Sequence, residues 1–77
     1  MDSRAFLQKI GEITENNDEE LTLEMLLEDV EGWNSLAVVT FMAMSDSEFG
    51  VSVNARDMRR AKTLRDLYDI VADRGRK

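Results

Sequence analysis

The sequence predicts an all-α fold, a small bundle of three main helices plus one short helix, with a long connection after the first. Three observations predict it. Apolar residues recur at helical spacing in separate stretches, good capping residues stand ahead of them, and no stretch alternates convincingly for a sheet. The 77 residues are read as one domain, 1–77, and a 43% apolar share is enough for one small core.

Asp2 and Ser3 are good N-cap residues ahead of Phe6, Leu7, Ile10 and Ile13, which form one stripe of an amphipathic helix. That helix is expected to end near the polar run Thr14, Glu15, Asn16, Asn17. Residues 15–34 are ambiguous. Leu23, Leu26, Leu27 and Val30 have helical spacing, so this stretch reads as a long connection pinned by leucines and containing one or two helical turns.

Leu36 to Phe49 is the central helix, closed by Gly50, which suits the left-handed position after a helix end. Val51 to Val53 reads as an extended link. Asn54 then caps a short helix, Ala55 to about Ala61, with Asp57 at its third position. Thr63 opens the last helix with Asp66 three residues on, a near-capping-box. Leu64, Leu67, Tyr68 and Val71 are its buried stripe, and Gly75 stands just past its end.

Composition removes most chemistry. There is no cysteine, hence no disulfide, thiolate nucleophile or zinc-thiolate site, and no histidine, the commonest general base and metal ligand. An enzyme acting alone is not expected. Asp18, Glu19 and Glu20 lack the alternating ligand spacing of a calcium loop, and no metal site is expected.

The net charge is −6, and the two signs are segregated. No Lys or Arg occurs from Ile10 to Ala55, where eleven carboxylates lie, while residues 56–77 carry a net +4. Such an acidic face repels nucleic acid and anionic membrane and steers basic protein partners. The plainer alternative is an acidic surface that only keeps the protein soluble. Arg74, Arg76 and Lys77 are too short a tail for a nucleic-acid arm. No apolar run approaches the ~20 residues of a membrane span, and no signal-peptide core is present. The chain is expected to be soluble, cytoplasmic and not inserted in a membrane.

The most informative segment is Glu31-Gly32-Trp33-Asn34-Ser35-Leu36. Gly32 permits a turn and Asn34 is among the best N-caps. With Asn34 capping, the Ser35 hydroxyl faces solvent in the first turn, where free N–H groups and the helix dipole favour a phosphate-sized anion. The alternative is that Ser35 is itself the cap and has no chemistry. Local sequence alone favours that plainer reading.

At these residues the chain resembles the acyl carrier proteins of the phosphopantetheine-binding carrier family. Trp33-Asn34-Ser35-Leu36 is similar to the Asp-Ser-Leu motif that opens that family's second helix. Glu48-Phe49-Gly50-Val51 resembles the end of that helix, Ala61 to Leu67 its threonine-capped last helix, and Leu21 to Val30 its long acidic first loop. The resemblance implies an acyl-carrier-like bundle with Ser35 as the covalent attachment point of 4′-phosphopantetheine, whose thiol carries acyl groups as thioesters. It implies a phosphopantetheinyl transferase as partner, then acyl-activating, acyl-transferring or ketosynthase-type enzymes, with the chain itself a monomer and not catalytic.

There are departures. Asn34 stands for the family's aspartate, Leu23 for a common proline, and Ala37 and Thr40 for residues that are often acidic and dock basic partners. A helical wheel puts Val38, Phe41, Met42, Ser45 and Phe49 in the core, Phe49 between the central and first helices. It leaves Leu36, Val39, Ala43 and Asp46 on the other side, with Asn34, as the expected partner-binding strip beside Ser35. Trp33 reads either as a shield for the attachment point or as a packing aromatic, and the methionines as core filler. The expected function is an acyl carrier for fatty acid, polyketide or related biosynthesis. The alternatives are a peptidyl carrier of nonribosomal synthesis and an unmodified helical adaptor, the latter favoured by Asn34.

Overall fold

A computed structural model describes residues 2–16 and 21–74. Asn17, the carboxylates Asp18, Glu19 and Glu20, and the terminal Gly75, Arg76 and Lys77 lie outside the described residues.

Helix α1 spans Ser3–Thr14, and its N-cap carboxylate, Asp2, accepts the Arg4 N–H at 3.2 Å. Its apolar stripe points Phe6 and Ile10 wholly inward, with Leu7 and Ile13 on the flanks. The helix ends on Glu15 at φ 60°, and the N–H groups of Glu15 and Asn16 both return to the Gly11 carbonyl. That is a left-handed closure made without glycine, at a steric cost.

The connection that follows buries Leu21, Leu27 and Val30, and its described residues include a 3-10 turn, Leu27–Asp29. Leu26 departs from the expectation: it is 41% exposed. Its backbone is extended and pairs antiparallel with Thr63, so the side chain of Leu27 turns inward and that of Leu26 outward. Three bonds clip the connection to the start of the last helix, and the first two of them make that pairing. The Leu27 N–H donates to the Lys62 carbonyl (2.8 Å), Leu64 N–H to Met25 (3.0 Å) and Arg65 N–H to Leu23 (2.8 Å).

Helix α2, Ser35–Phe49, closes at Gly50 with φ 66°, where Gly50 and Val51 N–H groups both reach the Ser45 carbonyl. Val51 and Val53 are buried and pin the extended link. Helix α3, Ala55–Arg60, is capped reciprocally: Asp57 N–H donates to the Asn54 side chain (2.9 Å) and Asn54 N–H to the Asp57 carboxylate (3.1 Å). Helix α4, Leu64–Arg74, opens in the same way. Asp66 N–H donates to Thr63 Oγ1 (3.1 Å), and the Asp66 carboxylate accepts from Lys62 and Thr63 N–H (2.8 and 3.1 Å), which holds its carboxyl below the usual range.

The helices converge on Phe6. Its ring meets Phe41 of α2 at 6.1 Å and Tyr68 of α4 at 5.4 Å, both edge to face, and Leu64, Leu67 and Val71 complete the core. Arg74 ties α4 back to α3. Its guanidinium forks onto both Asp57 oxygens (2.5 and 2.9 Å) and donates to the Ser52 carbonyl (3.0 Å). Arg74, with the Asn54 N–H, lowers the Asp57 carboxyl to about 2. The architecture is the expected one, three main helices (α1, α2, α4) and one short one, α3.

On α2 the core face differs from the wheel. Phe41 and Ser45 are fully buried as expected, but the third buried position is Ala37, 3% exposed. Ala37 therefore does not sit on a docking surface. Val38, Met42 and Phe49 pack only partly against the core, so Phe49 lies at its edge rather than within it. The helix is apolar nearly all round, so periodicity could not fix which side turns inward; contact with Phe6 does.

Candidate functional site at the head of the central helix

The turn before α2 is braced by the end of α1. Gly32 has φ +86°, and a Cβ there would stand 2.5 Å from the Thr14 carbonyl oxygen. Only glycine allows both this backbone and this approach. Asn16 adds a second brace: its side-chain amide donates to the Glu31 carbonyl and to Thr14 Oγ1 (2.9 Å), while that hydroxyl donates to the Ile10 carbonyl (2.8 Å). Trp33 N–H donates to the Val30 carbonyl at 3.1 Å, and its half-buried ring packs edge-on against Phe41 at 6.1 Å. Trp33 is thus a packing aromatic, and it also lines a groove with Leu26, Leu27, Glu28, Met58, Ala61 and Lys62.

Asn34 is the N-cap. Its side-chain oxygen accepts the Ala37 N–H at 3.0 Å, and its carbonyl accepts Val38 N–H at 3.0 Å. Ser35 is therefore the first helical residue. It is exposed, and its hydroxyl has no hydrogen-bond partner among the described residues. The competing reading, Ser35 as the cap, is overturned by this geometry. The N–H groups of Ser35 and Leu36 have no acceptor within the helix, and the positive end of the helix dipole lies there. A phosphodiester on the Ser35 oxygen would sit where its negative charge is stabilised. The residues fit such a group.

Leu36 is 74% exposed and Val39 61%, side by side with Ser35 and Asn34. Thr40, Ala43 and Asp46 are exposed on the same side of the helix. Asp46 lies three turns on, roughly 16 Å from Ser35 at 1.5 Å per residue. From Asn34 to Ser45 the helix head and its exposed side carry no charge.

A family model described as "phosphopantetheine attachment site" matches residues 4–71, nearly the whole chain. The chain belongs to this carrier family. Its domain is the kind to which the 4′-phosphopantetheine prosthetic group is attached, and carrier domains of this family are generally not catalytic. No curated protein and no solved structure matches the chain. Among the described residues, no helix is long and apolar enough to cross a membrane.

Two features of this site were not read from the sequence. The press of Gly32 on Thr14 joins residues eighteen positions apart, and only the turn-forming glycine signalled it. The groove beside Trp33 is assembled from three segments, and no local pattern announces it.

Proposed function

We propose that Ser35 is the attachment residue, and that the protein carries acyl groups as thioesters in fatty acid, polyketide or related biosynthesis. The observation that carries this reading is the free, exposed Ser35 hydroxyl at the head of α2, left available because Asn34 does the capping. A phosphopantetheinyl transferase supplies the base and coenzyme A. The Ser35 oxygen bonds to the phosphorus that bears pantetheine, the bond from that phosphorus to the remaining nucleotide breaks, and the serine proton passes to the transferase base. No Ser-His-Asp geometry is needed in the chain itself. Asn34, Leu36, Val39 and Ala43, with Asp46 at the far end, form the surface on which the transferase and the acyl-activating, acyl-transferring or ketosynthase-type enzymes dock. Leu36 and Val39 supply its apolar centre, of the kind that interfaces bury.

Intact mass after incubation with magnesium, coenzyme A and a broad-specificity transferase tests this. The parent is expected to gain one pantetheine phosphate, and Ser35→Ala none while keeping its helical circular dichroism. Gain on another residue, or none in the parent, would overturn the assignment, and the latter would favour the unmodified adaptor.

A further inference from the structure

Helix α3 and the link after it carry four cations; Arg60 and Lys62 act at longer range on Asp57 and Asp66, but none of the four sits within ion-pair distance of a carboxylate among the described residues. Of the eight described cations, Lys9 pairs with Glu48 at 2.9 Å, Arg65 with Glu24 at 3.7 Å and Arg74 with Asp57, while Arg4 at the start of α1 stands apart without an ion pair among the described residues. Arg56, Arg59, Arg60 and Lys62 are all exposed and have no ion-pair partner among the described residues. The one carboxylate on α3, Asp57, is taken by Arg74 and by the Asn54 cap. Arg59 and Arg60 suit the C-terminal end of α3, but Arg56 stands in its first turn, where the helix dipole disfavours a cation.

The position of this strip matters as much as its charge. Met58, Ala61 and Lys62 form one wall of the groove whose other wall includes Trp33, two residues from Ser35. Lys62 is the cation on that groove, facing Glu28 in the same lining, and Arg56, Arg59 and Arg60 flank it on α3. The exposed side of α2 near Ser35 is uncharged, so α3 is a nearby source of positive field for a partner working there. With a net charge of −6, the molecule as a whole is repelled from an extended anionic surface such as a membrane, whereas a local acidic patch can meet α3 alone.

We infer that Arg56, Arg59, Arg60 and Lys62 form a cationic docking surface for an acidic patch on a partner protein that works at the head of α2. The clause about the head of α2 rests on the Ser35 reading; the cationic surface itself does not.

The test is a titration of the full chain, followed by backbone amide NMR, with a short poly-aspartate peptide as probe of an acidic protein surface. Phosphatidylglycerol vesicles form a parallel arm. Amide shifts are expected to concentrate on residues 54–64 and to shrink as salt rises. The triple variant Arg56→Gln, Arg59→Gln, Arg60→Gln is expected to bind about tenfold more weakly, and the triple Lys variant to recover most of that. Circular dichroism checks that each variant folds. Arg56→Gln alone removes a cation from an unfavourable end of the helix and serves if the triple variant does not fold. Shifts elsewhere, equal binding by parent and glutamine variants, or a response to vesicles but not to peptide would each overturn the inference. The titration is repeated with Ser35→Ala, whose peptide response is expected to match the parent's. A failure of loading at Ser35 is thereby separated from a failure of the α3 surface.

Discussion

Asn34 satisfies an N–H at the head of α2 without bringing a charge. Asparagine and aspartate cap with similar strength, and the charged form gains only about 0.3–1 kcal/mol from the dipole. One charge-assisted contact to a transferase is worth ~1.5–3 kcal/mol, or about ten- to a hundredfold in rate. Asn34→Asp is therefore expected to melt like the parent yet to be loaded at least severalfold faster, with the gap closing at high salt. Equal loading rates would mean that the residue acts as a cap alone. Two residues away, Gly32→Ala meets both a left-handed backbone and the Thr14 carbonyl, and is expected to cost on the order of 1–3 kcal/mol by chemical denaturation. A third position works in the other direction. The Ser45 hydroxyl is fully buried with no partner among the described residues, so Ser45→Ala is expected to raise stability by about 1 kcal/mol. A lower melting temperature in that variant would reveal a partner for the hydroxyl.

At the scale of the element, the two phenylalanines of α2 should behave differently. Phe41 is fully buried between Phe6 and Trp33, whereas Phe49 is half-buried at the edge of the core. Phe41→Ala is expected to cost roughly 3–5 kcal/mol, which rivals the whole stability of a small domain. Phe49→Ala should lose distinctly less, and equal losses in urea melts would restore Phe49 to the core. This contrast also marks what the sequence made legible. Caps and ends are local chemistry, so Asp2, Asn54, Thr63 and Gly50 could be read directly and stand where expected, whereas Asn34 and Ser35 competed for one cap and local sequence leaned to the serine. Ser35 as a free residue at the head of α2 was legible through the family resemblance rather than through local capping rules. The inward side of α2 was not, because Ala37 and Val39 are equally apolar and only tertiary contact tells them apart. The exposure of Leu26 was hidden for a related cause: its backbone pairs with Thr63 through the bonds of Met25 and Leu27, a non-local pairing that helical spacing cannot announce.

For the molecule as a whole, acid should loosen the α3–α4 tie. The Asp57 carboxyl is lowered from 3.8 to about 2 by Arg74 and the Asn54 N–H, and Asp66 is lowered by the N–H groups of Lys62 and Thr63. A depressed carboxylate contributes stability that is complete above its unfolded value and lost as pH falls through its folded one. The melting temperature is therefore expected to drop between about pH 4 and pH 2. Asp57→Asn should start lower at neutral pH and fall less over that interval. Parallel curves for the two proteins would show that the Asp57–Arg74 contact is too well solvated to matter.

The bond from the Asn16 side chain to the Glu31 carbonyl has a topological consequence. It joins the two ends of a fifteen-residue excursion, and the buried Leu21 fastens the chain again part-way along. Chain added between Asn16 and Leu21 lengthens a ring that is already tied shut, and each doubling of a loop costs only about 0.6 kcal/mol. That junction is therefore a place to splice in a foreign peptide, such as an epitope or a fluorophore-accepting tag. Such a graft should leave the melting temperature within a few degrees of the parent's, whereas the same insertion between Gly32 and Trp33 should unfold it.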